Sequence, residues 1–308
     1  MVIFFIFKMH CVYGQSNNWW IFFNDKCTDS ISLSEKSIER RHSNGIEFDQ
    51  FDYPVCSSYI DSLNKNHLSI RNISRWLNAV SISVDSLQVL ESILAYNFVK
   101  EIKPVQTLLK NSHDDIINFK YDSDHFLKQT PLLYGYSYNQ LDMLGGVDLH
   151  NEGFLGDDIL IAVFDAGFEG VESLPIFDNL WSNNQILDTY DFVDNDINVF
   201  HGSSHGTMVL STMGGYMPDS LIGTAPNANF MLFKTEDSSS ETLVEEDNWA
   251  AAAEYADSIG VDIINSSLGY TILYDDTLNS HSYSDMDGNS TIITNAADLA
   301  ASRGILVV

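Results

Sequence analysis

Hydrophobic positions follow three rhythms along this chain. Residues 17–103 mix short apolar or alternating runs with amphipathic stretches. Trp19–Phe23 ("WWIFF") and Arg75–Val84 ("RWLNAVSISV") are aromatic or β-branched and predict strands. "SLSEKSIERR" predicts a helix, with Ser32 and Glu35 spaced as a capping box. "SSYIDSLNK" predicts a second helix. Asp85 is placed to cap a third, whose Leu87, Leu90, Ile93 and Leu94 share one face. "FVKEIKPV" predicts a last strand, ended by Pro104. Together these make a small α+β unit with helices on one face of a sheet. Residues 105–134 lack a strong period, contain "NSHDD" and "YDSDH", and predict an exposed linker suited to cleavage.

From residue 135 the rhythm changes. "NQLDMLGGVDLHNEGF" is helical, and Ile159–Phe164 is wholly apolar, as in a strand buried on both faces. Helix "SHGTMVLSTMGG" precedes strand Asn229–Lys234. Helix "ETLVEEDNWAAAAEYADSIG", strand Val261–Asn265, helix "TIITNAADLAASRG" and strand Ile305–Val308 follow. Strands alternating with helices predict an α/β fold, a parallel sheet covered by helices on both faces.

Ahead of both units, Val2–Phe7 is an apolar run followed by Lys8 and "MHCVYGQ". It reads as a short secretory signal over residues 1–16, too short to span a bilayer. The expected organisation is therefore signal 1–16, α+β unit 17–104, linker 105–134 and α/β unit 135–308. A secreted or cell-envelope protein without a stable membrane span is expected.

Charge sharpens the division. Residues 1–134 carry 13 basic and 15 acidic side chains; residues 135–308 carry two basic, Lys234 and Arg303, and 28 acidic. Two modules with different surroundings follow. With a net charge of −28, the chain lacks the clustered cations that displace counterions from a phosphate backbone, so nucleic acid is not an expected partner. The acidity reads mainly as a solvated shell and allows structural calcium. Cys11, Cys27 and Cys56 are the only cysteines, which excludes a disulfide framework and a cysteine zinc site in the acidic unit. A Cys27–Cys56 bridge is one option; unpaired thiols are the expectation.

Three segments carry candidate chemistry. Asp165 follows the buried strand and precedes Ala166–Gly167, which puts it at the carboxyl edge of the sheet, where ligands gather. His205 opens the helix of "HGSSHGTMV", with Ser203 or Ser204 able to cap it. Gly206 removes a side chain beside the imidazole. "NSSLGY" ends a further strand, and Ser267, Leu268 and Gly269 leave backbone groups free to accept an extended peptide. Taken singly, each segment is also an ordinary turn or cap. In the order Asp, His, Ser-Leu-Gly, they suit a serine hydrolase, in which a carboxylate orients a base that takes the hydroxyl proton.

With those segments the chain resembles the subtilisin-like serine proteases, especially secreted bacterial ones. "IAVFDAGF" is similar to their aspartate motif and "HGTMV" to their histidine motif. The resemblance implies that Asp165 orients and His205 acts as general base. "GTAPNANFMLFK" resembles the segment after the histidine helix, and "INSSLG" the strand whose Ser267, Leu268 and Gly269 line the specificity pocket. It further implies that the α+β unit is an inhibitor-like propeptide acting in cis, that polypeptides are the substrates, and that the chemistry requires no cofactor or metal.

Two elements of the family are absent from the sequence. It has no Gly-Thr-Ser-x-Ala-x-Pro stretch for the nucleophile, and the oxyanion asparagine expected after "GILVV" does not appear. The chain thus reads as a C-terminally truncated fragment, an incomplete subtilisin-like fold inactive by itself, of a serine endopeptidase precursor. Two other readings stay open. One is a catalytically inactive peptide-binding pseudoprotease. The other is a metal-dependent hydrolase using Asp165, His201 and His205. "SDMDGNS" (284–290) vaguely resembles a calcium loop but lacks a full ligand series.

Overall fold

The computed structural model describes residues 17–27, 30–65, 68–84, 86–105, 107–108, 132–238, 241–270 and 281–308. The segment read as a signal, Asp85 and most of the expected linker lie outside them.

The amino-terminal unit contains β1 (Asn18–Phe23), α1 (Glu35–Ser43), α2 (Ser57–Asn64), β2 (Ser69–Ser74), β3 (Ala79–Ser83), α3 (Gln88–Leu94) and β4 (Val99–Val105). Its antiparallel sheet has the order β2-β3-β1-β4. The run "WWIFF" is apolar at every position because both sheet faces are covered. Trp19, Ile21 and Phe23 pack with Leu63, Leu90 and Ile93 of the unit's own helices. Trp20 points the other way, with Ala79, Val105 and Val244 of the second unit. Pro104 does not end β4 but lies within it, opposite Trp19. An edge strand can hold a proline because one side of it needs no ladder donor.

Three further local expectations change. The strand expected over Arg75–Val84 is confined to β3, because residues 75–78 turn the chain back from β2, its antiparallel partner. The cap of α1 is Ser34, whose hydroxyl accepts from Ser37 N–H, and not Ser32. Cys27 and Cys56 are joined in a disulfide, with Cα atoms 5.0 Å apart, rather than left as thiols. The end of β1 and the start of α2 meet at one end of the unit, a proximity that a separation of 29 residues does not announce.

After β5 (Thr107–Leu108), the second unit contains α4 (Tyr138–Met143), α5 (Gly146–Asn151), β6 (Leu160–Asp165), α6 (Asp178–Ser182), β7 (Ile186–Asp191) and α7 (His205–Gly214). Then come β8 (Tyr216–Met217), β9 (Leu221–Ile222), β10 (Asn229–Lys234), β11 (Glu241–Thr242), α8 (Val244–Ile259), β12 (Ile263–Ser266), α9 (Ile292–Ser302) and β13 (Leu306–Val307). The main sheet is parallel, with the order β13-β12-β6-β10-β7. Leu160, Ala162 and Phe164 of β6 pack with Trp249, Ala253 and Ala296 of α8 and α9. Ile161 and Val163 pack on the opposite face with Leu180 and Leu210 of α6 and α7. This is the helix-covered α/β sheet, and β6 sits at its centre.

Candidate active site

Three strands end at one rim of this sheet. Lys234 of β10 pairs in register with Asp165 of β6 on one side and with Asp191 of β7 on the other. On the far side of β6, Ser266 of β12 is opposite Phe164, so Ser267 leaves the sheet at the level of Asp165.

The side chain of Asp165 is fully closed off from solvent, whereas that of His205 is 47% exposed. His205 Nδ1 lies 2.9 Å from both oxygens of the Asp165 carboxylate. Ala166 N–H donates to Asp165 Oδ1 at 2.8 Å, and Gly206 N–H also donates to this carboxylate. Burial raises the Asp165 carboxyl above its ordinary value, while the bonds from His205, Ala166 and Gly206 act in the opposite direction.

The dyad is held by a close approach of backbones. Glu169 N–H donates to Ser203 O, Phe168 N–H donates to Val199 O, and the Thr207 hydroxyl donates to Glu169 O. A Cβ on Gly206 would lie 2.5 Å from Gly167 O and 2.8 Å from Asp165 Cβ, so only glycine lets α7 start against the Asp165 turn. Gly167 has φ +147°, and a Cβ there would be 2.1 Å from His201 O. Ser203 supplies the cap, its hydroxyl accepting from His205 N–H at 3.1 Å, and Ser204 makes no side-chain cap bond.

Beside the dyad, Lys234 Nζ bonds Asp191 Oδ2 at 2.8 Å, with both side chains buried. Composition singled out Lys234 only as a rare cation; β10 and β7 give it a partner. His201 does not join Asp165 and His205. Its Nε2 lies 3.5 Å from Asp191 Oδ2, so the trio weighed as a metal site is not brought together. Among the described residues, Asp191, Asp194 and His201 are near enough to share an ion, but Lys234 Nζ already bonds both aspartates.

Ser267 and Gly269 are exposed, and a Cβ on Gly269 would meet nothing within 4 Å. Leu268 packs against the Trp249 cluster, which anchors the segment from below. A second backbone edge went unread in the sequence: Glu241 and Thr242 pair antiparallel with Leu108 and Thr107, from just beyond the amino-terminal sheet. An extended segment thus already adds to the second unit as a strand. Two-residue strands carry too little pattern to be found by periodicity.

At the carboxyl rim of the α/β sheet, then, a buried carboxylate grips a half-exposed imidazole. Comparison with known proteins gives the family. Residues 18–117 match the peptidase S8 propeptide domain of Bacteroidota, and residues 156–308 match the subtilase family. The chain belongs to the subtilase family and carries its propeptide domain in front. It is 28% identical to subtilisin E of Bacillus subtilis (strain 168) over 162 residues, which cover 52% of this chain and 35% of that protein. It is 27% identical to alkaline serine exoprotease A of Vibrio alginolyticus over 210 residues, 65% of this chain and 36% of that one. The matched stretches thus span about a third of these relatives. In fold, it is similar to the epidermin leader peptide processing serine protease of Staphylococcus aureus, with a TM-score of 0.53 at 15% identity, covering 96% of this chain and 59% of that one. No helix among the described residues is long and apolar enough to cross a membrane.

Proposed function

We propose that this chain is part of a secreted serine endopeptidase precursor, with Asp165 and His205 as two members of its charge-relay system. The contact of His205 Nδ1 with both Asp165 oxygens carries the reading. In it, Nδ1–H donates to the carboxylate, which fixes the tautomer and leaves Nε2 to take a proton from a serine hydroxyl. The serine oxygen attacks the peptide carbonyl, the imidazolium returns the proton to the leaving amine, and buried Asp165 stabilises the imidazolium meanwhile. The serine and the oxyanion asparagine are absent from the 308 residues, so they are proposed to belong to a longer chain, and these residues alone are proposed to be inactive.

Residues 17–104 would be an inhibitor-like propeptide acting in cis. Ser267, Leu268 and Gly269, together with the edge Glu241–Thr242, would hold polypeptide substrates by strand addition. The Cys27–Cys56 bridge favours an oxidising compartment. The proposed chemistry requires no cofactor.

The test is labelling of the complete protein by a serine-directed organophosphate, alongside peptidase assays of Asp165→Asn and His205→Ala. Label uptake and loss of turnover in both variants are expected. Near-normal turnover in either variant would refute the assignment. The pairing of Thr107–Leu108 with β11 also favours a second reading, a peptide-binding pseudoprotease, which would bind peptides but take no label.

A further inference from the structure

The amino-terminal unit meets the second unit in two places of different character, joined at Asp257, which Arg75 of the first also bonds. One is the outer face of its sheet, over α8. There the Ser74 hydroxyl and the Arg75 and Trp76 N–H groups bond Glu254, and Arg71 bonds Asn248. The other is the excursion between Cys27 and Cys56, described from residue 30 to 55, which carries α1 away from the sheet.

This excursion seats at the opposite rim from the dyad. Its contacts fall on residues that precede strands: Asp158 before β6, Val261 and Asp262 before β12, Arg303 and Gly304 before β13. Arg40 donates to Val261 O at 2.6 Å and to Arg303 O at 3.1 Å. Asp257, near the end of α8, accepts from Arg40 at 2.5 Å and from Arg41 at 2.7 Å, and all three side chains are buried. Lys36 bonds Asp262 at 2.7 Å, and Arg303 reaches back to Asp49 at 2.8 Å. Ser34 N–H donates to Ser258 O. A Cβ on Gly260, whose φ is +90°, would come within 2.7 Å of Ser37 N. Phe51 packs into the Trp249 cluster of the second unit.

We propose that residues 30–55 form a second anchor of the propeptide, independent of the peptide-accepting edge, which retains the amino-terminal unit after the connecting segment is cut. The inference rests on the reading of residues 17–104 as a removable propeptide. Three features support it. The anchor buries two guanidinium groups, those of Arg40 and Arg41, against one carboxylate that is itself closed to solvent. Its acceptors, Asp257 in the last turn of α8 and Val261 O and Arg303 O ahead of β12 and β13, belong to the second unit, so they remain in place when the amino-terminal unit leaves. The Cys27–Cys56 bridge ties both ends of the excursion together, which limits how far α1 can stray from the sheet. Because the anchor is at the amino edge, a peptide that displaces Thr107–Leu108 from β11 does not compete with it. Inhibition and retention are therefore separable.

The experiment uses the complete protein with a recognition sequence for an added protease placed among residues 109–131. After the cut, release of the amino-terminal unit is followed by size exclusion, with and without excess extended peptide. Wild type should stay associated, and the peptide should not speed its release. Arg41→Met and Asp257→Asn should each accelerate release at least about tenfold, because each leaves a buried charge short of its partner. Lys36→Ala is at a half-exposed side chain and tests the same seat without burdening the fold; about two- to threefold faster release is expected.

Release of the wild-type unit on cutting, release driven by the peptide, or unchanged rates in Lys36→Ala and in a folded Arg41→Met would each overturn the anchor. Mass determination of the naturally matured protein separates the premises. If it retains residues 17–104, the propeptide reading fails, whereas the release rates still judge the contact.

Discussion

Asp165 and Asp257 both have side chains closed to solvent, one at the carboxyl rim of the parallel sheet and one near its amino rim. Asp165 faces a single imidazole with an open outer edge, plus N–H groups of its own turn and of α7. Asp257 faces Arg40, Arg41 and Arg75, at 2.5 to 2.7 Å. Burial costs both carboxylates their hydration, and each recovers it from different neighbours. A partner that can gain and lose a proton while touching solvent suits catalysis. Guanidinium groups, two buried and one mostly so, that converge on one carboxylate suit attachment. Equal burial therefore does not mean equal purpose; the chemistry and exposure of the partner decide.

The largest effect should come from the catalytic side of this contrast. In the complete protein, Asp165→Asn should lower kcat/KM on the order of 10⁴-fold, as loss of the orienting acid does in such relays, and His205→Ala by no less. Steady-state kinetics on a peptide substrate checks this, and unfolding midpoints should move little by comparison. Asp257→Asn should show the reverse pattern. It should destabilise the precursor by about 3–5 kcal/mol in urea titration, because three guanidinium groups lose their shared charge.

Next in size is the covalent brace of the anchor. Cys27→Ser with Cys56→Ser should cost about 3 kcal/mol in the same titration, from restored freedom of the unfolded loop. A loss below about 1 kcal/mol would mean that the excursion is held by its ion pairs alone.

The smallest effect concerns a third buried carboxylate, Asp247 in the first turn of α8. Its nearest cation, Arg71 Nε, is 4.0 Å away. Burial pushes its carboxyl up from 3.8 to about 6. Between those pH values the folded chain holds more protons than the unfolded one, so this group's contribution to stability falls as pH rises through that window. Above about pH 6 the penalty is constant. Asp247→Asn should thus stabilise the precursor on the order of 2 kcal/mol at pH 7–8 and have no effect near pH 3.5. Stability curves for the two proteins that stay parallel from pH 3.5 to 8 would contradict this account.

Much of the dyad was legible because its signals are local. Asp165 ends an apolar run, and His205 is followed by the one residue that admits a neighbouring backbone. Strand β7 was not legible. Ile186–Asp191 is an edge strand in which Leu187 is exposed and Asp188 and Thr189 are only half-buried on opposite faces, so its pattern reads as loop. The cap of α1 was misplaced by two residues, since Ser32 and Ser34 are equally able acceptors and only the chain path chooses. Lys234 looked like a solitary cation until parallel pairing set it between two aspartates.

From the residues alone came the order of most of the longer strands and helices, and the strand end at Asp165 and helix start at His205 that meet at one rim. Those features depend on neighbours a few positions apart, where periodicity and turn chemistry act. Folding in space decided which of 43 acidic side chains meets which of 15 basic ones, that Cys27 joins Cys56, and that α1 grips the rim opposite the dyad. Such pairings link residues as many as 254 positions apart, and what selects them is the exclusion of water when two surfaces close, which no local pattern encodes.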